Sequence, residues 1–151
     1  MSSIYLPLYA PSSRFPNLFV APRSGLNQAY ADGRDRDFRE VYIPIPAWIH
    51  HKFPGFLPRR SVPFGLHLPN GKVLNVSVCQ EGEKALMSNP NSDLGQWIFT
   101  QVLLMPNRRL VTYQDLKTVR IDSVKITEKH GEYYIEPSPL LSYEKFKNGR
   151  I

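Results

Sequence analysis

Proline spacing sets the first limit on how this chain can fold. Fourteen prolines are spread from Pro7 to Pro139. Each removes a backbone donor and fixes φ near about −65°, so it ends a helix or is confined to a strand's edge or end. The chain also has nine glycines. The elements between must be short and joined by turns, which suits a β-rich domain better than a helical bundle. The expected class is mainly β with short helices, an α+β fold. At 151 residues, 42% of them apolar, there is one domain's worth of chain and enough for a real core.

Taken in order, residues 1–22 form a proline-spaced lead-in with an edge strand near residues 5–9. Residues 23–40 are polar, have no clean period and are too long for an ordinary connection. They read as a first arm. Val41-Tyr42-Ile43 is a short strand closed by Pro44 and Pro46. Residues 47–53 form two helical turns with Trp48, Ile49 and Phe53 near one face, and Pro54 and Gly55 end them. Residues 63–69 alternate, with Phe64, Leu66 and Leu68 on one side. Asn70-Gly71 predicts a two-residue hairpin into residues 72–79, where Leu74, Val76 and Val78 share a face. Residues 80–93 show no apolar period and read as a second, projecting arm. Leu94, Trp97, Ile98 and Val102 then recur at helical spacing behind a Ser92 or Asp93 cap, with Gly95 weakening that helix. Thr112 caps a helix over residues 113–119, with Asp115 placed to complete the cap. Residues 122–127 and 132–136 pair across His130-Gly131. Residues 137–151 read as a polar tail that frays. The expected domain therefore spans residues 23–136.

The net charge is +6 and the pI about 9.5, which fits a polyanionic partner. Residues 41–80 hold Lys52, Arg59, Arg60 and Lys72 and no acidic residue. Asp32, Arg34, Asp35, Arg36, Asp37, Arg39 and Glu40 instead interleave both signs. Such a run suits internal ion pairs, or base-edge reading in which carboxylates accept from cytosine and arginines donate to guanine. No apolar run approaches the ~20 residues that span a bilayer, and no membrane association is expected. The N-terminus lacks a basic-then-apolar signal pattern, because Pro7, Pro11 and Pro16 interrupt it. Cys79 is the single cysteine, so there is no internal disulfide and no thiolate zinc cage, and a cytosolic, reducing setting is the simple inference.

Catalytic chemistry is suggested only faintly. His50-His51-Lys52 contains the His-x-Lys letters of phospholipase-D-type nucleases, in one copy, with Leu57 where that motif would carry an acidic or amide residue. His50 and His51 are adjacent and point apart on a helix, so they do not converge on a metal. Cys79 at a strand end reads as a small core residue. Asp32, Asp35 and Asp37 could be imagined as metal-binding carboxylates, but pairing with their own arginines explains them better. No catalytic residue, metal site or cofactor is expected. The arms remain. The first offers Arg23, Ser24, Asn27, Gln28, Tyr30, Arg34 and Arg36, and the second Gln80, Lys84, Ser88, Asn89 and Asn91. Arg, Lys, Asn and Gln can read base edges, while Ser and Lys position phosphates. Turn and cap chemistry is the competing reading for Asn91 and Ser92.

Several spaced motifs carry a resemblance. They are Ser24-Gly25-Leu26-Asn27 with Arg36, Val41-Tyr42-Ile43-Pro44-Ile45-Pro46, Leu68-Pro69-Asn70-Gly71, Cys79-Gln80, Lys84-Ala85-Leu86-Met87-Ser88-Asn89-Pro90-Asn91, Leu94-Gly95-Gln96-Trp97, Val111-Thr112-Tyr113 and Ile121-Asp122-Ser123-Val124. Over about residues 20–136 the chain resembles the C-terminal recognition domain of BfiI-like restriction endonucleases. There a phospholipase-D-type nuclease is followed by a B3-like DNA-binding domain. The resemblance implies an open β pseudobarrel related to the plant B3 domain, with two arms that grip the DNA major groove. Those arms map onto residues 23–39 and 80–93, adding Asp32, Asp35 and Met87 to the DNA-facing candidates. Arg120 stands where the family pattern often has glycine. The nuclease half is missing, so the chain is expected to be an excised recognition domain or a stand-alone relative. It should bind double-stranded DNA as a monomer without cutting it, in a prokaryotic cytoplasm. The alternatives are a nuclease using His50 and Lys52, and a protein-interaction domain.

Overall fold

A computed structural model of the chain describes residues 2–33, 37, 39–105 and 109–151, with residues 31–33 described by backbone alone. Seven strands among the described residues form one curled, mixed sheet. They are β1 (Ser2–Pro7), β2 (Ile43–Pro44), β3 (Phe64–His67), β4 (Val73–Cys79), β5 (Ala85–Ser88), β6 (Ile121–Lys129) and β7 (Glu132–Pro139). Their order is β1-β6-β7-β3-β4-β5-β2. Neighbours are antiparallel except at β3–β7, where Leu66 faces Tyr133 and His67 faces Tyr134 in parallel register. Two antiparallel ribbons therefore meet at one short parallel seam and curl into a half-barrel. Short helices α1 (Ala47–Lys52), α2 (Ser92–Trp97), α3 (Tyr113–Val119) and α4 (Ser142–Lys147) complete it. This is the mainly β, B3-like pseudobarrel class expected.

Alternation explains the strands. Val76 and Val78 of β4 are buried, Leu74 is half-buried, and Val73 and Asn75 are exposed. They meet Ile4, Leu6, Leu66, Leu86, Val124, Ile126 and Ile135 in one apolar core. The β3–β4 turn differs from a two-residue hairpin. Leu68 N–H donates to Lys72 O at 2.8 Å, and Gly71 N–H to Leu68 O at 3.0 Å. That leaves Pro69-Asn70-Gly71 as a three-residue loop, with Gly71 at φ +90°. Proline favours the first turn position and glycine accepts the left-handed one.

Two expectations are corrected here. Residues 80–93 do not form one projecting arm. Ala85–Ser88 is a strand held between β4 and β2, with Leu86 facing both Val78 and Ile43. Residues 137–151 do not form a frayed tail either. β7 runs on to Pro139, and α4 buries Tyr143 and Phe146. Phe146 lies 5.2 to 5.5 Å from the rings of Tyr5, Trp48 and Phe53, and Trp48 Nε1–H donates to Tyr143 Oη at 2.8 Å. At i and i+3, the two aromatics share one face of a helix whose other residues are polar. β6 holds α4 in place. A register shift between Ile121 and Ser123 turns both Asp122 and Ser123 inward. Asp122 accepts from Tyr113 Oη at 2.7 Å, from Ser123 Oγ at 2.7 Å and from Leu141 N–H at 3.0 Å. Ser123 Oγ in turn accepts from Tyr143 N–H at 3.1 Å.

Candidate nucleic-acid interface

The first arm is rooted by its own side chains. Gly25–Gly33 is a 3₁₀ segment, and its three-residue repeat turns Leu26 and Ala29 into the core. Asn27, expected to face DNA, is fully buried instead. Its Nδ2 donates to Ala21 O and Val111 O, both at 2.9 Å, and its Oδ1 accepts from Val111 N–H at 2.8 Å. A carboxamide with both ends satisfied by main chain has nothing left for a base. Tyr42 N–H reaches Gly25 O at 3.3 Å and closes the base of the loop. Beyond Val111 the chain is fixed by the expected Thr112–Asp115 capping box. Burial pushes the Asp115 carboxyl up, but hydrogen bonds from Arg109 and Thr112 outweigh it and hold the group below its usual range.

The second arm has two separate exposed ends, one on each side of β5. The first is the turn over residues 80–84. Gln80, Gly82 and Glu83 all have positive φ there, and Glu83 N–H donates to Gln80 O at 3.0 Å. His50 contacts this turn: its Nε2–H donates to Glu83 O at 2.6 Å. A carbonyl only accepts, so this nitrogen carries the proton. Leu57 lies in the core. The His-x-Lys pattern thus uses its histidine to brace a turn. The second end is at residues 88–91. Ser88, the other residue corrected, is buried. Its Oγ donates to Pro90 O at 2.9 Å and accepts from Leu94 N–H at 2.9 Å, so it fastens the start of α2 rather than meeting a phosphate. Asn89 is exposed, with its N–H on Asn75 O at 2.9 Å.

The two arms meet along the β2–β5 edge. Ile45 N–H donates to Lys84 O at 2.8 Å, extending the β2–β5 pairing to the first end. At the other end the Arg39 carbonyl oxygen lies against Gly95 of α2, where an added Cβ would stand 1.8 Å from it. Arg39 Nη1 donates to Gln96 Oε1 at 3.1 Å, while its Nε and Nη2 hold Asp37 at 3.0 and 2.7 Å. Those hydrogen bonds from Arg39 hold the Asp37 carboxyl below its usual range. For Asp37, then, ion pairing within the arm is the observed arrangement.

The remaining candidates fall into three groups. Arg23, Tyr30, Lys84 and Asn89 are exposed, with Tyr30 at 39%. Ser24, Gln28, Gln80, Met87 and Asn91 are half-buried, and the acceptor oxygens of Gln28 and Asn91 are buried without a partner among the described residues. Asp32, Arg34, Asp35 and Arg36 lie outside the residues whose side chains are described. Sequence reasoning passed over Arg59 and Arg60 as arm neighbours. Both are exposed, and the turn that carries them is tied to the strand leading into the second arm by Ser61 N–H on Val78 O at 2.8 Å. Their signal was the acid-free run itself. No group of three or more His, Cys, Asp or Glu among the described residues could hold a metal.

A curled, mixed seven-strand half-barrel with a few short helices is consistent with a B3-like pseudobarrel. The chain belongs to the NgoFVII C-terminal B3-like DNA-binding domain family, whose model matches residues 7–129. Comparison with curated proteins found no match.

Proposed function

We propose that this chain reads a short double-stranded DNA site through both arms in the major groove, as the target-recognition domain of a restriction endonuclease, and that it cuts nothing itself. It acts as a monomer when isolated, and its setting is a prokaryotic cytoplasm. The observation that carries the reading is the joining of the two arms along β2–β5, which leaves Lys84 and Asn89 exposed at opposite ends of one strand. At ~3.4 Å per residue that strand sets them roughly 17 Å apart. This corresponds to about five base-pair steps at ~3.4 Å each. The basic balance and the acid-free run beside the second arm supply the attraction to phosphate.

Random-site selection followed by gel shift tests this. Asn89→Ala should flatten discrimination at one position by ~1–3 kcal/mol, the range for a paired base-edge contact. Lys84→Ala should weaken every duplex alike and lower the salt slope by ~0.9 for the phosphate lost. Equal binding of the wild-type chain to every duplex would end the specific-reader reading.

A further inference from the structure

We infer that Arg39, Gly95 and Gln96 form a clasp that fixes the two arms as one reading unit, so that these are positioning residues for specificity. The inference rests on the DNA-recognition reading above. Gly95 is a glycine where helix propensity does not favour one. Gly95 lies inside α2, where alanine would favour the helix by ~0.8–1.0 kcal/mol. Its φ is ordinary, so backbone freedom does not explain it. Space does: a Cβ would stand 1.8 Å from Arg39 O and 2.6 Å from its carbonyl carbon, both backbone atoms that no rotamer change can move. The Arg39 side chain completes the clasp. It reaches from Asp37 on its own arm to Gln96 on α2, and the Asp93 charge also acts on its guanidinium. The same short helix is fastened at its start by Ser88 at the end of the second arm. One six-residue helix thus holds the return limb of the first arm and the exit of the second.

Without the clasp, each arm must be ordered separately on DNA. If the aligned state falls to about a tenth of the molecules, cognate affinity falls about tenfold. Non-specific affinity is left almost unchanged, since Gly95→Ala and Gln96→Ala remove no cation.

The test uses the full chain with Gly95→Ala, Gln96→Ala and Arg39→Lys, which keeps the charge and loses the fork. Amide hydrogen exchange of the free protein should rise over residues 39–42 in Gly95→Ala. The cognate-to-random affinity ratio should fall about tenfold in Gly95→Ala, and by a smaller factor in Gln96→Ala and Arg39→Lys. The salt slope on random duplex should not change. If Gly95→Ala does not fold, Gln96→Ala and Arg39→Lys decide, with exchange over residues 39–42 as their readout. Unchanged exchange over residues 39–42 together with an unchanged ratio overturns the clasp. Raised exchange in a wild-type background that shows no sequence preference keeps the clasp and overturns the recognition reading instead.

Discussion

Asn27→Ala removes one carboxamide that makes three hydrogen bonds to main chain: two donated to Ala21 O and Val111 O, one accepted from Val111 N–H. At ~1 kcal/mol net for each bond the loss is about 3 kcal/mol. The stranded Val111 groups raise it, because Val111 is itself buried and unsatisfied buried partners cost ~1–3 kcal/mol each. Water entering the vacated space recovers part of that, so about 3–4 kcal/mol is expected. For a domain of this size each kcal/mol moves Tm by roughly 2–4 °C, so melting should fall by about 6–16 °C. Urea unfolding should show a lower midpoint at constant m. Asn27→Asp is the control. It keeps the shape but faces two carbonyl oxygens with a carboxylate, so its folded-state pKa lies above the unfolded value. Protonation then favours the folded state, and the variant should gain stability as pH falls through that raised value. The result that refutes the reasoning is a Tm within 2 °C of wild type together with lost cognate binding. That would make Asn27 a base reader after all.

Removing residues 140–151 should lower stability by roughly 3–6 kcal/mol, at ~1.5–3 kcal/mol for each of the buried Tyr143 and Phe146, whereas a frayed tail would leave the melting curve unmoved. Arg120 closes α3 at φ +60°, so Arg120→Gly should raise the urea midpoint by an amount worth ~0.5–1 kcal/mol. Ser88→Ala removes the hydroxyl that fastens α2 and should lower stability by ~1 kcal/mol in the same titration, with random-duplex affinity unchanged.

Elements whose two faces differ were legible in the sequence. β3, β4 and, from Val124 on, β6 put alternate residues into the core, and α3 announces itself through Thr112 and Asp115. β5 was not legible. It lies between β4 and β2, and Ala85, Leu86 and Ser88 are all buried, so the period of two disappears. A strand covered on both faces loses its alternation. α4 hid for a different reason: two aromatics among lysines and a glutamate look polar in any window, and only their i, i+3 spacing marks a face. Asn27 and Ser88 could not be separated from base readers by residue type, since the groups that read bases also satisfy main chain. A signal existed for Asn27, whose neighbours Leu26 and Ala29 repeat at three-residue spacing. For Ser88 there was none, because the helix N–H that it accepts from is six residues away, across Pro90.

Several residues within the motifs that carry the family resemblance hold the arms and helices in place. Asn27 and Val111 root the first arm, and Gly25 with Tyr42 closes it. Ser88 and Gly95 fix the second arm to α2 and bring the first against it. Asp122 and Ser123 fasten α4 and, through Tyr113, the helix that follows Val111. These residues build and join the arms, and several are too buried to touch a ligand. The exposed groups lie between them, at Tyr30, Lys84 and Asn89. A frame of this kind can be shared while the exposed groups differ, because the frame's hydrogen bonds end on main chain or on one another and do not depend on those neighbours. Family membership therefore carries the DNA-binding architecture to this chain. On the proposed reading the exposed positions between the anchors set the base preference, so substitutions there should change the preferred site without moving the melting temperature.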